Sequence, residues 1–263
     1  MLPIAGEHPP ANATDLAGSL QDGLARQGVS ASVTAHGDWP ALSALAIRLT
    51  KIARPQPLPK ATAEAALTIG QFETIGEPVE IEGVPARVRA RFSDLGCGFG
   101  RAGDGPWQLV IQSAGAGQLE LEASKAEIEH AAHRIVSELA SRQGATVKST
   151  NLSLTAVTPR SLTFEISCTA KVFIATATLT VGGQLDIDDQ LNGRLSGLTV
   201  KGDGMIASMA QGMIQPRLDE WNGRVVPLGE YVAAGLTVSD LRISTGEKVR
   251  LEATFKPAES RTS

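Results

Sequence analysis

Leu162, Phe164, Ile166, Cys168, Ala170 and Val172 alternate with Thr163, Glu165, Ser167, Thr169 and Lys171. A strict period of two over this length describes one long strand with a single dry face. Leu152, Leu154 and Ala156 repeat the pattern just upstream, and Thr158-Pro159-Arg160 supplies the turn between the two runs. Gly182-Gly183 interrupts a third run as a bulge or bend, and Asp188-Asp189 to Gly193 makes the next turn. Two further runs, Leu236 to Ser244 and Val249 to Phe255, form a hairpin around Thr245-Gly246-Glu247. Strands joined by such short turns must pair antiparallel.

Three helices are expected beside them. The first starts at Asn12 or Thr14, carries Leu16, Leu20 and Leu24 on one face, and stops at Gly28. The second opens on a capping box, Ser124-Lys125-Ala126-Glu127. Its stripe of Ile128, Ala132, Ile135 and Leu139 is expected to pack on the sheet, and Gly144 ends it. The third runs from about Asp203 to Trp221, and Pro216 should kink or divide it. The first two helices both end in Arg-Gln-Gly, at Arg26 to Gly28 and Arg142 to Gly144, and each leads into a β-like run, which hints at a repeated helix-then-strand unit. The fold class is α+β. Long strands, bulge glycines and few aromatics predict a long, strongly curved antiparallel sheet against amphipathic helices, enclosing an apolar groove. Residues 1–11 and 257–263 read as tails, and 12–256 as one domain that divides naturally into halves 12–118 and 119–256.

Several functional classes are excluded or disfavoured by composition. A net charge of −4 with no block of like charges makes nucleic acid an unfitting partner. Arg87, Arg89 and Arg91 fall at every second position and read as the solvated face of a strand. Cys97 and Cys168 have neither zinc-site nor disulfide-framework spacing, and Cys168 reads as buried. The uncharged stretches Val172 to Leu185 and Gly204 to Pro216 are too short to cross a bilayer. The N-terminus shows no basic region followed by an apolar one, so the expected location is the cytoplasm, or the cell envelope if a leader has been removed.

No constellation in the sequence carries catalysis, a cofactor or a metal. Gly96 to Gly105 looks like a phosphate loop but leads into a strand instead of a helix, and it reads as a flexible connection. His130 and His133 lack further ligands, and Asp186, Asp188 and Asp189 read as a solvated turn and not as a calcium loop. Arg54 to Pro59 is a linker-like or rigid loop. Met205, Met209 and Met213 concentrate in the third helix; methionine adapts to irregular apolar partners, so this helix suits either a core or a groove wall.

Gly37-Asp38-Trp39-Pro40-Ala41-Leu42 resembles the Gly-x-Pro-x-Leu step of the LmeA-like phospholipid-binding proteins. Val226-Pro227-Leu228-Gly229, followed by Leu236-Thr237-Val238, resembles their late turn into the final hairpin. The resemblance implies a tubular lipid-binding (TULIP-like) fold, in which a curved sheet wraps a helix around an apolar tunnel. It also implies binding or transfer of a phospholipid or similar amphiphile, with peripheral membrane contact. The expected ligand-binding residues are Leu162, Phe164 and Ile166 from the strand, with Ile206, Met209 and Met213 from the third helix. Two alternatives share the same residues: a cyclase-type enzyme that shapes an apolar natural-product substrate, and an interaction module with a filled core.

Overall fold

The computed structural model describes residues 1–52, 59–81, 83–142, 144–172, 175–189, 191–202, 204–227 and 236–257, with the backbone alone described at Val172, Met205, Ile206, Met209, Ala210, Met213, Arg217, Val226 and Pro227. In chain order the elements are β1 (Leu2–Pro3), α1 (Ala13–Arg26), β2 (Val29–Asp38), β3 (Ala41–Ile52), β4 (Ala63–Ile81), β5 (Val84–Gly100), β6 (Gln108–Ser113) and β7 (Ala116–Ser124). There follow α2 (Lys125–Ser141), β8 (Ala145–Thr158), β9 (Ser161–Val172), β10 (Ala175–Ile187), β11 (Asn192–Gly202), α3 (Met205–Trp221), β12 (Val225–Pro227), β13 (Leu236–Ser244) and β14 (Lys248–Pro257). The chain forms two compact units. One comprises Met1–Glu122, Glu230–Leu241 and Leu251–Ser263; the other comprises Ala123–Gly229 and Arg242–Arg250. The expected linker at Arg54 to Pro59 lies outside the described residues except for Pro59.

A nine-stranded sheet underlies the first unit, with the order β13-β14-β7-β5-β4-β3-β2 and with β6 and β1 continuing from β5. It is mixed, because β3 and β4 pair in parallel from Ala41↔Thr68 to Ile52↔Ile81. An entirely antiparallel sheet was the expectation. Parallel pairing depends on a non-local connection that leaves no turn signal in the sequence. Helix α1 forms where expected. The Asn12 side chain accepts the Asp15 amide at 2.9 Å, and the Asp15 carboxylate accepts the Ala11 amide at 2.9 Å. Leu16, Leu20 and Leu24 are buried where α1 packs on β2. Gly28 ends it with φ 73°, a left-handed conformation that costs glycine no steric strain. The N-terminal residues are more than a tail: Leu2 and Pro3 pair with Leu109 and Gln108 of β6, and Ile4 is buried.

The glycine-rich segment is likewise structural in its first half. Gly96, Gly98 and Gly100 lie within β5, and a Cβ at Gly98 or Gly100 would stand 2.0 or 2.2 Å from the carbonyl oxygen of Glu64 or Thr62. These glycines admit the close passage of the neighbouring backbone, where a flexible connection was expected. On the Arg87, Arg89 and Arg91 row, Arg89 reaches Glu77 at 2.8 Å and Arg91 reaches Glu73 at 2.6 Å, forming a cross-strand charge ladder.

The second unit holds an antiparallel five-stranded sheet, β12-β11-β10-β9-β8. Its register breaks between Gly182 and Gln184, the bulge expected there. Helix α3 continues through Pro216 as one element. Both Pro216 and Gly212, whose carbonyl lies one turn back, are exposed, so water can satisfy the acceptor that the proline leaves unpaired.

Candidate ligand site on the five-stranded sheet

Directly opposed residues of an antiparallel sheet point to the same side. In the second unit one side carries Leu152↔Ile166, Leu154↔Phe164 and Ala156↔Leu162 across β8 and β9. Across β9 and β10 the same side continues with Ile166↔Val181 and Leu162↔Leu185. The opposite side is polar and hydroxyl-rich: Ser167 and Thr180 share a hydrogen bond at 2.8 Å, and Thr169 and Thr178 another at 3.0 Å. Leu162, Phe164 and Ile166 therefore stand together on one apolar face of the sheet, as the alternation predicts.

Two helices flank that face. Helix α3 packs on β11 and less on β10, anchored where Ala207, fully buried, meets Gly202. A Cβ at Gly202 would lie 2.7 Å from both the Ala207 Cβ and a Leu179 methyl, so glycine sets the approach of this helix. Helix α2 packs on β8. The Glu129 carboxylate accepts the Leu152 amide at 2.8 Å and so covers the open edge of β8. Among the described residues neither helix packs extensively on β9, and Leu162, Phe164, Ile166 and Cys168 are only half-buried. The side chains of Ile206, Met209 and Met213 lie outside the described residues.

Helix α2 differs from expectation in two ways. Ser124 makes no capping bond; it is the last residue of β7, and the Lys125 amide is taken instead by the Glu247 carbonyl at 2.9 Å. The second half of the expected stripe is also turned away from the sheet, with Ile135 58% and Leu139 55% exposed, while Ile128 and Ala132 are half-buried. The face toward β8 is the one bearing Glu129 and His133, about 100° around the helix from Ile128. Polar contacts to β8, invisible to a hydrophobic pattern, fix the rotation.

Those contacts include a group the sequence pattern passes over. His133 Nδ1 lies 3.0 Å from Thr150 Oγ1, and the Ser137 hydroxyl lies 3.4 Å from Nε2. Thr150 is opposed to Cys168 and shares a hydrogen bond with its thiol. Burial pushes the Cys168 thiol up from its ordinary value, and the Thr150 bond partly offsets that. Cys168 is half-buried, not buried as its neighbours suggested; among the described residues neither helix packs extensively on β9. The one sequence signal for this cluster is Thr150 at a position whose alternates, Leu152 and Leu154, are apolar.

His130 is exposed, and among the described residues no group of His, Cys, Asp and Glu could hold a metal ion. Asp188 closes its turn by accepting the Asn192 amide at 2.8 Å, and hydrogen bonds from Ser161 and Gln184 hold the Asp186 carboxyl below its usual range. In the first unit, Phe72, Phe92 and Phe255 line a depression of about 500 Å³, with ring centroids 6.3 and 5.9 Å apart. Gly117 makes room for it, since a Cβ there would lie 2.3 Å from the Phe92 ring.

No protein-family model, curated protein or solved structure matches the chain.

Proposed function

We propose that the protein binds or transfers a phospholipid or similar amphiphile, holding its acyl chain along β9 in an apolar groove between α2 and α3. The observation that carries this reading is the half-buried row Leu162, Phe164 and Ile166 on β9, with α2 packed on β8 to one side of it and α3 on β11 and β10 to the other. Leu162 to Ile166 and on to Cys168 runs about 20 Å at ~3.4 Å per residue, the reach of a long chain. Burial is worth about 0.8 kcal/mol per methylene, so ten methylenes supply about 8 kcal/mol before the cost of association, with no specific polar contact required.

Chain length supports curvature in the nine-stranded sheet of the first unit as well. Ile52 and Ile81 are opposed across the parallel pair, and only residues 53–62 connect Ile52 to Ala63 at the start of β4. A fully extended connection of that length reaches about 40 Å. A straight β4 would separate Ala63 from Ile81 by about 60 Å. The two ends of β4 must therefore lie closer than a straight strand allows, which requires bending. The resemblance of Gly37 to Leu42 and of Val226 to Gly229 to LmeA-like proteins points the same way.

The test is Phe164→Asp, assayed with a fluorescent long-chain amphiphile. On a groove wall the variant stays folded, with an unchanged circular-dichroism spectrum, and loses binding at least tenfold. In a filled core the buried charge unfolds the protein instead, and that outcome, or binding equal to that of the unaltered protein, overturns the reading.

A further inference from the structure

The polar cluster on the apolar face restricts the kind of amphiphile that fits. His133, Thr150, Ser137 and Cys168 are each half-buried, and they stand together at one end of the row Leu162, Phe164, Ile166. All four side chains can both donate and accept hydrogen bonds, and hydroxyl and thiol rotors reorient without moving heavy atoms. A carboxylate tied to the same stretch of β8 is that of Glu129, one helical turn before His133 and bonded to the amide of Leu152. Arg134 and Lys148, the nearest cations in sequence, are exposed. An anionic head placed at Thr150 would thus have a carboxylate one helical turn from His133 and, among the described residues, only exposed Lys and Arg nearby in sequence, and taking an unpaired charge out of water is costly. A hydroxyl meets groups of its own kind.

We infer that Thr150, His133, Ser137 and Cys168 form a polar anchor for the uncharged hydroxyl end of a single-chain amphiphile, such as a long-chain alcohol or a monoacylglycerol, whose chain lies on Ile166, Phe164 and Leu162. The inference rests on the apolar-groove reading above and narrows its ligand, from a phospholipid or similar amphiphile to an uncharged single-chain amphiphile. A hydroxyl inserted between Thr150 and His133 keeps every member of the cluster bonded. An alkyl ether accepts but does not donate, and it leaves one partner unsatisfied.

The experiment uses the full chain and displacement of an uncharged environment-sensitive dye by 1-dodecanol, dodecyl methyl ether and dodecanoate. The alcohol should bind about fivefold tighter than the ether, the worth of about one net hydrogen bond, and tighter than the carboxylate. Thr150→Val, which keeps the volume, should erase the preference for the alcohol over the ether. In the unaltered protein, the His133 imidazole resonances should shift with the alcohol and not with the ether, a readout that stands even if the variant fails to fold. Equal affinity for alcohol and ether, tightest binding of dodecanoate, or a preference that survives Thr150→Val overturns the anchor alone. Displacement by none of the three overturns the groove reading, and the anchor with it.

Discussion

Gly18 and Gly23 both lie inside α1, and helix propensity alone assigns the same benefit to replacing either with alanine, about 1 kcal/mol. Their surroundings separate them. At Gly18 nothing lies within 4 Å of an added Cβ, so Gly18→Ala should stabilise by about 0.5–1 kcal/mol. At Gly23 an added Cβ would stand 2.3 Å from the Pro3 carbonyl oxygen and 3.0 Å from the Ile4 amide nitrogen, both backbone atoms that cannot rotate away. Relief requires β1 to lift from α1, which strains the Ile4 amide bond to the Trp107 carbonyl at 2.8 Å and begins to expose Ile4. Overpacking of this kind costs about 1–3 kcal/mol, and uncovering an isoleucine about 1.5–3 kcal/mol when complete. Set against the propensity gain, Gly23→Ala should destabilise by about 1–2 kcal/mol. Urea unfolding of both variants, compared by transition midpoint at unchanged slope, measures the difference. Shifts of the same sign would refute the close contact between β1 and α1.

The caps give a second contrast: Asn12→Ala should cost about 1 kcal/mol, and Ser124→Ala less than 0.5 kcal/mol because its side chain makes no capping bond, both read by thermal melts. Glu129→Ala should cost about 1–3 kcal/mol and speed hydrogen exchange at the Leu152 amide, while Glu129→Gln should keep part of the bond. A neutral alkylating reagent should modify Cys168 in the folded protein well before the fully buried Cys97, with mass spectrometry locating the adducts. Burial pushes the Cys97 thiol from its ordinary value of 9.0 up to about 12, so the stability it contributes is fully present below pH 9 and is lost as pH rises from 9 towards 12. Cys97→Ala should flatten that alkaline decline in denaturation midpoint.

Elements whose signals are local were legible in the sequence. The period of two placed β8 and β9 within a residue or two, and Gly28 and the leucine stripe placed α1. Gly182-Gly183 marked the bulge, and Thr245-Gly246-Glu247 the last hairpin. What escaped depends on distant partners. The parallel β3–β4 pairing has no turn to announce it. Gly98 and Gly100 are small because a neighbouring backbone passes close by, which looks in sequence like flexibility. Helix α2 carried a plausible stripe, but Glu129 and His133 found partners on β8 and turned Ile135 and Leu139 outward. At the candidate site, Leu162, Phe164 and Ile166 share a face because strand geometry compels it. Thr150, His133 and Cys168 meet only through the register of β8 with β9 and the rotation of α2.

Native mass spectrometry of the full chain, purified from cells without detergent and followed by solvent extraction of the bound material, tests the central claim most directly. An apolar groove along β9 predicts a second mass series heavier by one amphiphile, at a substantial fraction of one per chain, which disappears in folded Phe164→Asp. Protein that carries no amphiphile and takes none up from mixed lipid vesicles, or whose lipid persists undiminished in folded Phe164→Asp, would contradict it.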